Sequence, residues 1–126
     1  MKKKTVLIVD DAIFMRTILR KLFERDGRCD VIGEAANGYE AIEKAKLLLP
    51  DIITMDIIMP DLDGLEAIMT IKNVSPKSMI VMMTSVANYQ MIDKAKALGA
   101  YDYLPKPIDG DDVNRLLDKI FSNKES

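Results

Sequence analysis

Short apolar runs alternate along the chain with longer segments whose apolar positions recur every three to four residues. The runs are Val6–Val9, Val31–Ile32 with its neighbours, Ile52–Met55, Met79–Met83 and the short Tyr101–Leu104. Most lack polar alternation, which predicts strands buried on both faces of a parallel sheet. Between them, Met15, Ile18, Leu19, Leu22 and Phe23 hold the i, i+3, i+4, i+7, i+8 spacing of one helix face, and Gly27 marks its stop. Asn37-Gly38 turns into a second helix through Ala41, Ile42, Ala45 and Leu48, which Pro50 ends. Asp63-Gly64 opens a third through Leu65, Ile68 and Ile71, followed by Pro76. Ile92, Ala95 and Leu98 belong to a fourth, stopped by Gly99, and Val113, Leu116, Leu117, Ile120 and Phe121 repeat the spacing of the first.

Five successive strand–helix units predict an α/β fold, a five-stranded parallel sheet with helices on both faces. Right-handed crossovers restrict its topology, and function in such sheets collects at the carboxyl ends of the strands. The length of 126 residues fits one compact domain over 1–126, with no linker or low-complexity tract. The net charge of -2 argues against nonspecific nucleic-acid binding, which needs clustered positive charge. No histidine is present, which removes histidine general bases, histidine metal ligands and phosphohistidine carriers from consideration. The single cysteine, Cys29, has no disulfide partner and reads as a small buried hydrophobe. No apolar run is long enough to span a membrane, and Asp10-Asp11 interrupt the first run too early for a signal peptide. A cytoplasmic location is the expectation.

The strand ends carry the chemistry. Strand one ends in Asp10-Asp11, strand three in Asp56, strand four in Thr84-Ser85, and strand five runs out to Lys106-Pro107. Clustered carboxylates need a counter-charge to stay ionised. A hard divalent cation such as Mg2+, which favours oxygen ligands and keeps several waters, would supply one, and Lys106 another. A carboxylate nucleophile beside such charges suits phosphoryl transfer through an aspartyl-phosphate. Taken singly, Asp11 could be a helix cap, Lys106 a surface lysine and Thr84 a cap. Their joint placement at the ends of one sheet is what favours a site.

At this point the chain resembles the receiver domains of two-component response regulators over nearly its whole length. The matching segments are Val6-Leu-Ile-Val-Asp-Asp11, Met55-Asp-Ile-Ile-Met-Pro-Asp-Leu-Asp-Gly64, Met83-Thr-Ser85 and Gly99-Ala-Tyr-Asp-Tyr-Leu-Pro-Lys-Pro107. The resemblance implies the flavodoxin-like strand order 2-1-3-4-5, as in regulators of the CheY type. It implies Asp56 as phosphoacceptor, and Mg2+ held by Asp10, Asp11, Asp56 and the backbone carbonyl of Ile58. It implies Thr84 and Lys106 as phosphoryl-binding groups, a cis bond before Pro107 as in many relatives, and Tyr103 as a switch aromatic. The output surface would lie on helix four, strand five and helix five, at Ala87, Tyr89, Ile92, Lys96, Tyr103 and Leu116. Plain core packing is the alternative for Ile92 and Leu116.

The implied protein is a monomeric signalling phosphoacceptor rather than an enzyme. Its partners would be a histidine kinase and a downstream protein, the flagellar switch or a phosphatase if the pathway is chemotaxis, with no nucleic acid and no membrane insertion. The opening Asp-Asp-Ala-Ile-Phe-Met-Arg looks most like chemotaxis regulators of the CheY type. A phosphorelay intermediate, a receiver cut from a longer regulator such as a chemotaxis methylesterase, and an unphosphorylated pseudo-receiver are the alternatives. Ser85 stands where relatives carry a small Ala or Gly, so the choice of Thr84 rests on spacing. Ile58 and Val86 are apolar where relatives often carry polar groups that help to place the hydrolytic water, which suggests a long-lived aspartyl-phosphate, although the two could merely pack together. A haloacid-dehalogenase-type phosphatase would need a second aspartate at position 58. A flavodoxin would need a Ser, Thr and Gly-rich phosphate loop after strand one, and a Walker site a Gly-rich loop ending in Lys.

Overall fold

The computed structural model of the chain describes residues 2–85 and 88–122. Among these, the strands are β1 (Lys4–Val9), β2 (Cys29–Ala35), β3 (Ile52–Met55), β4 (Met79–Thr84) and β5 (Asp102–Pro105). They alternate with helices α1 (Ile13–Asp26), α2 (Gly38–Leu48), α3 (Gly64–Val74), α4 (Tyr89–Ala97) and α5 (Gly110–Ser122). The sheet order is β2-β1-β3-β4-β5 and every pairing is parallel, as expected.

Strand periodicity sorts the apolar residues into two cores. Leu7, Val9, Ile53, Met55, Ile80 and Met82 face α2, α3 and α4, where Ala41, Ala45, Ile68, Ile71 and Ile92 meet them. Val6, Ile8, Ile52, Val81 and Met83 face α1 and α5, packing on Leu19, Phe23, Val113, Leu116 and Leu117. Phe23, Leu7, Leu19, Ile52 and Ile71 are fully enclosed, and each such side chain contributes roughly 1.5–3 kcal/mol relative to exposure. Cys29 is buried in the second core, and desolvation pushes its thiol up to about 12, so it is a packing residue.

Two local details depart from a simple pattern. The β1–β2 register slips between Val6 and Leu7, so that Val6 faces Val31 but Leu7 faces Gly33. The extra residue, Ile32, is 37% exposed on this edge strand. That bulge and the edge position explain why β2 reads as a thin apolar run although it spans seven residues. The second helix stops at Leu48, because Leu49 turns left-handed with φ 47 and donates its N–H to the Ala45 carbonyl before Pro50 is reached. Among the described residues no helix is long and apolar enough to cross a membrane.

Candidate functional site

Asp10 follows β1, Asp56 follows β3, Thr84 closes β4 and Lys106 follows β5. These strands are neighbours in the sheet, so the four residues line one edge of it. The Lys106 backbone N–H donates to the Thr84 carbonyl at 2.9 Å, carrying the β4–β5 pairing one step past Pro105. The next peptide bond, Lys106–Pro107, is cis.

The Lys106 ammonium donates to Asp10 Oδ2 at 2.7 Å and to Asp56 Oδ2 at 3.0 Å. Its side chain is 14% exposed, and those of Asp10 and Asp56 are 3% and 13% exposed. Burial alone would lower the lysine's pKa, but the two carboxylates outweigh it and the net direction is upward, so the ammonium stays charged. Asp10 is tied on every side. Its N–H donates to the Ala35 carbonyl at 3.0 Å, and Oδ1 accepts from the Ala12 N–H at 3.0 Å. Its own carbonyl accepts from Arg16 Nη1 at 2.7 Å. Asp56 Oδ1 accepts from the Ile58 N–H at 3.0 Å.

The loop from Asp56 to α3 is held by close packing. Asp61 adopts a left-handed φ of 77, Leu62 is buried, and Asp63 caps α3 by accepting from the Leu65 N–H at 2.8 Å. Gly64 lies so close to Ile57 that a Cβ there would sit 2.3 Å from the Ile57 carbonyl oxygen and 2.7 Å from its Cα. Only glycine lets the loop return under Asp56 in this way.

The structure therefore brings together Asp10, Asp56, Lys106 and the backbone of Thr84. Asp11 is exposed beside them and does not cap α1, whose N-cap is Ala12 without a side-chain bond. Thr84 is 1% exposed whereas Ser85 is exposed, which separates the two neighbouring hydroxyls. Ile58 is 54% exposed. Tyr103 is half-buried against the α2–α4 core. Tyr89, 82% exposed, and Lys96 lie on the α4 surface. Two expected output residues require correction. Ile92, 7% exposed, and Leu116, 3% exposed, are core side chains on opposite faces of the sheet, because each occupies the buried stripe of its helix. Ala87 and Val86 lie outside the described residues.

Among the described residues no three carboxylate or thiol groups converge tightly enough to hold a metal ion by themselves. The donor chemistry nevertheless suits a hard cation that completes its shell with water: the polar side chains at the strand ends are oxygen donors, apart from Lys106. Arg16 and Glu34 stand out by no motif along the chain. Arg16 Nε and Arg20 Nε grip the two oxygens of Glu34 at 3.0 and 2.9 Å, which ties the start of α1 to β2. An arginine one turn into α1 facing an acidic residue late in β2 is a signal visible only once the two elements are known to be neighbours.

Comparison with known proteins agrees with this fold. A family model described as the response regulator receiver domain matches residues 6–119. The chemotaxis protein CheY of Thermotoga maritima is 43% identical over 117 residues, covering 93% of this chain and 97% of that one. A protein-glutamate methylesterase/protein-glutamine glutaminase of Carboxydothermus hydrogenoformans is 47% identical over 85% of this chain, which spans only 30% of that protein. Among solved structures, the response regulator domain of Thermotoga maritima CheB superposes with a TM-score of 0.85, at 35% identity and 96% coverage of both chains. CheY of Borrelia burgdorferi, in a complex with CheX, BeF3 and Mg2+, superposes with a TM-score of 0.89, at 30% identity, covering 95% of this chain and 90% of that one.

Proposed function

The chain belongs to the response regulator receiver family, and from that premise we propose that it accepts a phosphoryl group on Asp56 from a histidine kinase. The observation that carries this reading is the partly buried ammonium of Lys106 held by both Asp10 and Asp56 at the ends of neighbouring strands. In the reaction an Asp56 carboxylate oxygen forms a bond to phosphorus as the bond from phosphorus to the donor's imidazole nitrogen breaks. Lys106 supplies positive charge to the phosphoryl oxygens, the Ile58 N–H holds the other Asp56 oxygen, and the Thr84 hydroxyl donates to the phosphoryl group. Asp10, Asp11, Asp56 and the Ile58 carbonyl would hold Mg2+, which supplies charge neutralisation during transfer.

Movement of Thr84 toward the phosphoryl group would let Tyr103 change its burial. The α4–β5–α5 surface, with Tyr89, Lys96 and Tyr103, would present the result to a protein partner. Similarity to CheY along nearly the whole of both chains favours chemotaxis, with a flagellar switch or a phosphatase as the partner of a monomeric cytoplasmic protein. The likeness to methylesterases, of which the chain spans 30%, supports the second reading of a receiver that works within a longer regulator.

The test is incubation with acetyl phosphate with and without Mg2+, read by intact mass. A single Mg2+-dependent phosphoryl addition that disappears in Asp56→Asn is the expected result. No addition to folded wild-type protein would turn the reading to a pseudo-receiver. The apolar Ile58 and Val86 lead to a slow spontaneous decay of the adduct. Rapid loss of the added mass in purified protein would refute that part.

A further inference from the structure

We propose that Arg16 is a positioning residue that sets the orientation of the Asp10–Asp11 peptide and so the readiness of the acidic pair for a divalent cation. This inference rests on the phosphoacceptor reading of the same site. β1 ends at Val9, so the Asp10 carbonyl lies past the strand pairing and takes a side-chain donor instead, Arg16 Nη1 at 2.7 Å. The guanidinium does not hang free. Its Nε is fixed by Glu34 at 3.0 Å, and Glu34 is itself fixed by Arg20 at 2.9 Å and, through its backbone carbonyl, by Lys44. The Arg16 side chain is 14% exposed, so the fork is largely removed from competing water. The peptide plane that carries the Asp10 carbonyl also carries the Asp11 N–H. Holding one end of that plane fixes where the Asp11 side chain departs.

A planar fork that bonds a carbonyl and a carboxylate at once is a property of arginine that lysine does not reproduce. The same fork separates positioning from simple electrostatics. By charge alone, removing a cation near an acidic pair strengthens binding of a divalent cation. By positioning, removing it weakens binding, on the order of tenfold for a lost outer-shell partner.

The experiment is calorimetric titration of the unphosphorylated protein with MgCl2 alone, for wild type, Arg16→Gln and Arg16→Lys, with thermal unfolding to establish folding. The Asp11 amide NMR signal reports the peptide plane. The expected result is Mg2+ binding about tenfold weaker in Arg16→Gln, a displaced Asp11 amide, and loss in Arg16→Lys despite its retained charge. Binding unchanged or tighter in folded Arg16→Gln overturns the inference, while Asp56 phosphorylation of the wild type would leave the parent reading standing. Should Arg16→Gln fail to fold, Arg16→Lys decides: wild-type affinity there overturns positioning. A wild type that neither binds Mg2+ nor accepts a phosphoryl group overturns both.

Discussion

Thr54 sits in the middle of β3, paired with Ile8 and Val81 and fully buried, and among the described residues its hydroxyl has no hydrogen-bond partner. A buried hydroxyl without a partner carries an uncompensated desolvation cost. Valine has nearly the same shape and no such group, so Thr54→Val should stabilise the fold by ~1 kcal/mol. The urea midpoint should rise with an unchanged m-value. A lower midpoint would mean that the hydroxyl is satisfied in solution. At this scale the sequence was most legible where a residue ends a strand. Asp10, Asp56, Thr84 and Lys106 could be placed together from apolar runs alone, since a parallel sheet aligns such ends. For Ile92 and Leu116 surface and core both stayed open, and the spacing of Ile92 with Ala95, and of Leu116 with Val113 and Ile120, is what favours the buried stripes they occupy. The bond from Arg16 to the Asp10 carbonyl was not legible, because it depends on side-chain direction and not on period.

The β3–α3 loop shows what one element asks of another. Its return beneath Asp56 needs the bare backbone of Gly64, and the obstacle to a side chain there is the Ile57 backbone, which cannot rotate aside. Gly64→Ala should therefore destabilise the protein by about 1–3 kcal/mol and slow phosphorylation, as the loop and Asp56 shift together. Unfolding midpoints and the rate of mass gain from acetyl phosphate measure the two effects. An alanine variant with wild-type stability and rate would show that the loop relaxes freely. Helix starts were readable in the sequence where Asn37 and Asp63 cap them. The start of α5 is also capped, by a reciprocal pair in which Asp109 Oδ1 accepts from the Asp112 N–H and Asp112 Oδ2 accepts from the Asp109 N–H. This acidic pair was not singled out in the sequence, since glutamate or glutamine is the usual residue three places after the cap in such a box.

Across the whole molecule, acid sensitivity should come from two clusters of ion pairs that join elements, one around Arg28 and one around Glu34. Asp26 is held below its ordinary value of 3.8 chiefly by its bond to Arg28, which also reaches Asp118 of α5. For Glu34, burial pushes upward, but the bonds from Arg20 and Arg16 prevail and keep it below 4.5. A carboxylate whose folded pKa is depressed contributes stability that is present above its unfolded pKa and lost as pH falls through the folded one. Stability should thus be level near neutrality and decline once the pH drops below about 4.5 and on past 3.8. Denaturation curves at stepped pH should show this slope, and Asp26→Asn with Glu34→Gln should flatten it. An equal slope in the double variant would assign the acid loss to other groups.

The division of the apolar residues into two cores also sets an order of assembly. The face under α2, α3 and α4 is built almost entirely from residues that precede β5, whereas the opposite face is roofed by α1 and by α5, the last helix of the described chain. A polypeptide leaving the ribosome from its N-terminus can finish the first face while Val6, Ile8 and Val81 still lack the cover of Val113, Leu116 and Leu117. Without α5 the sheet would have one covered side and one side partly open to water, so the last described helix is what closes the second core.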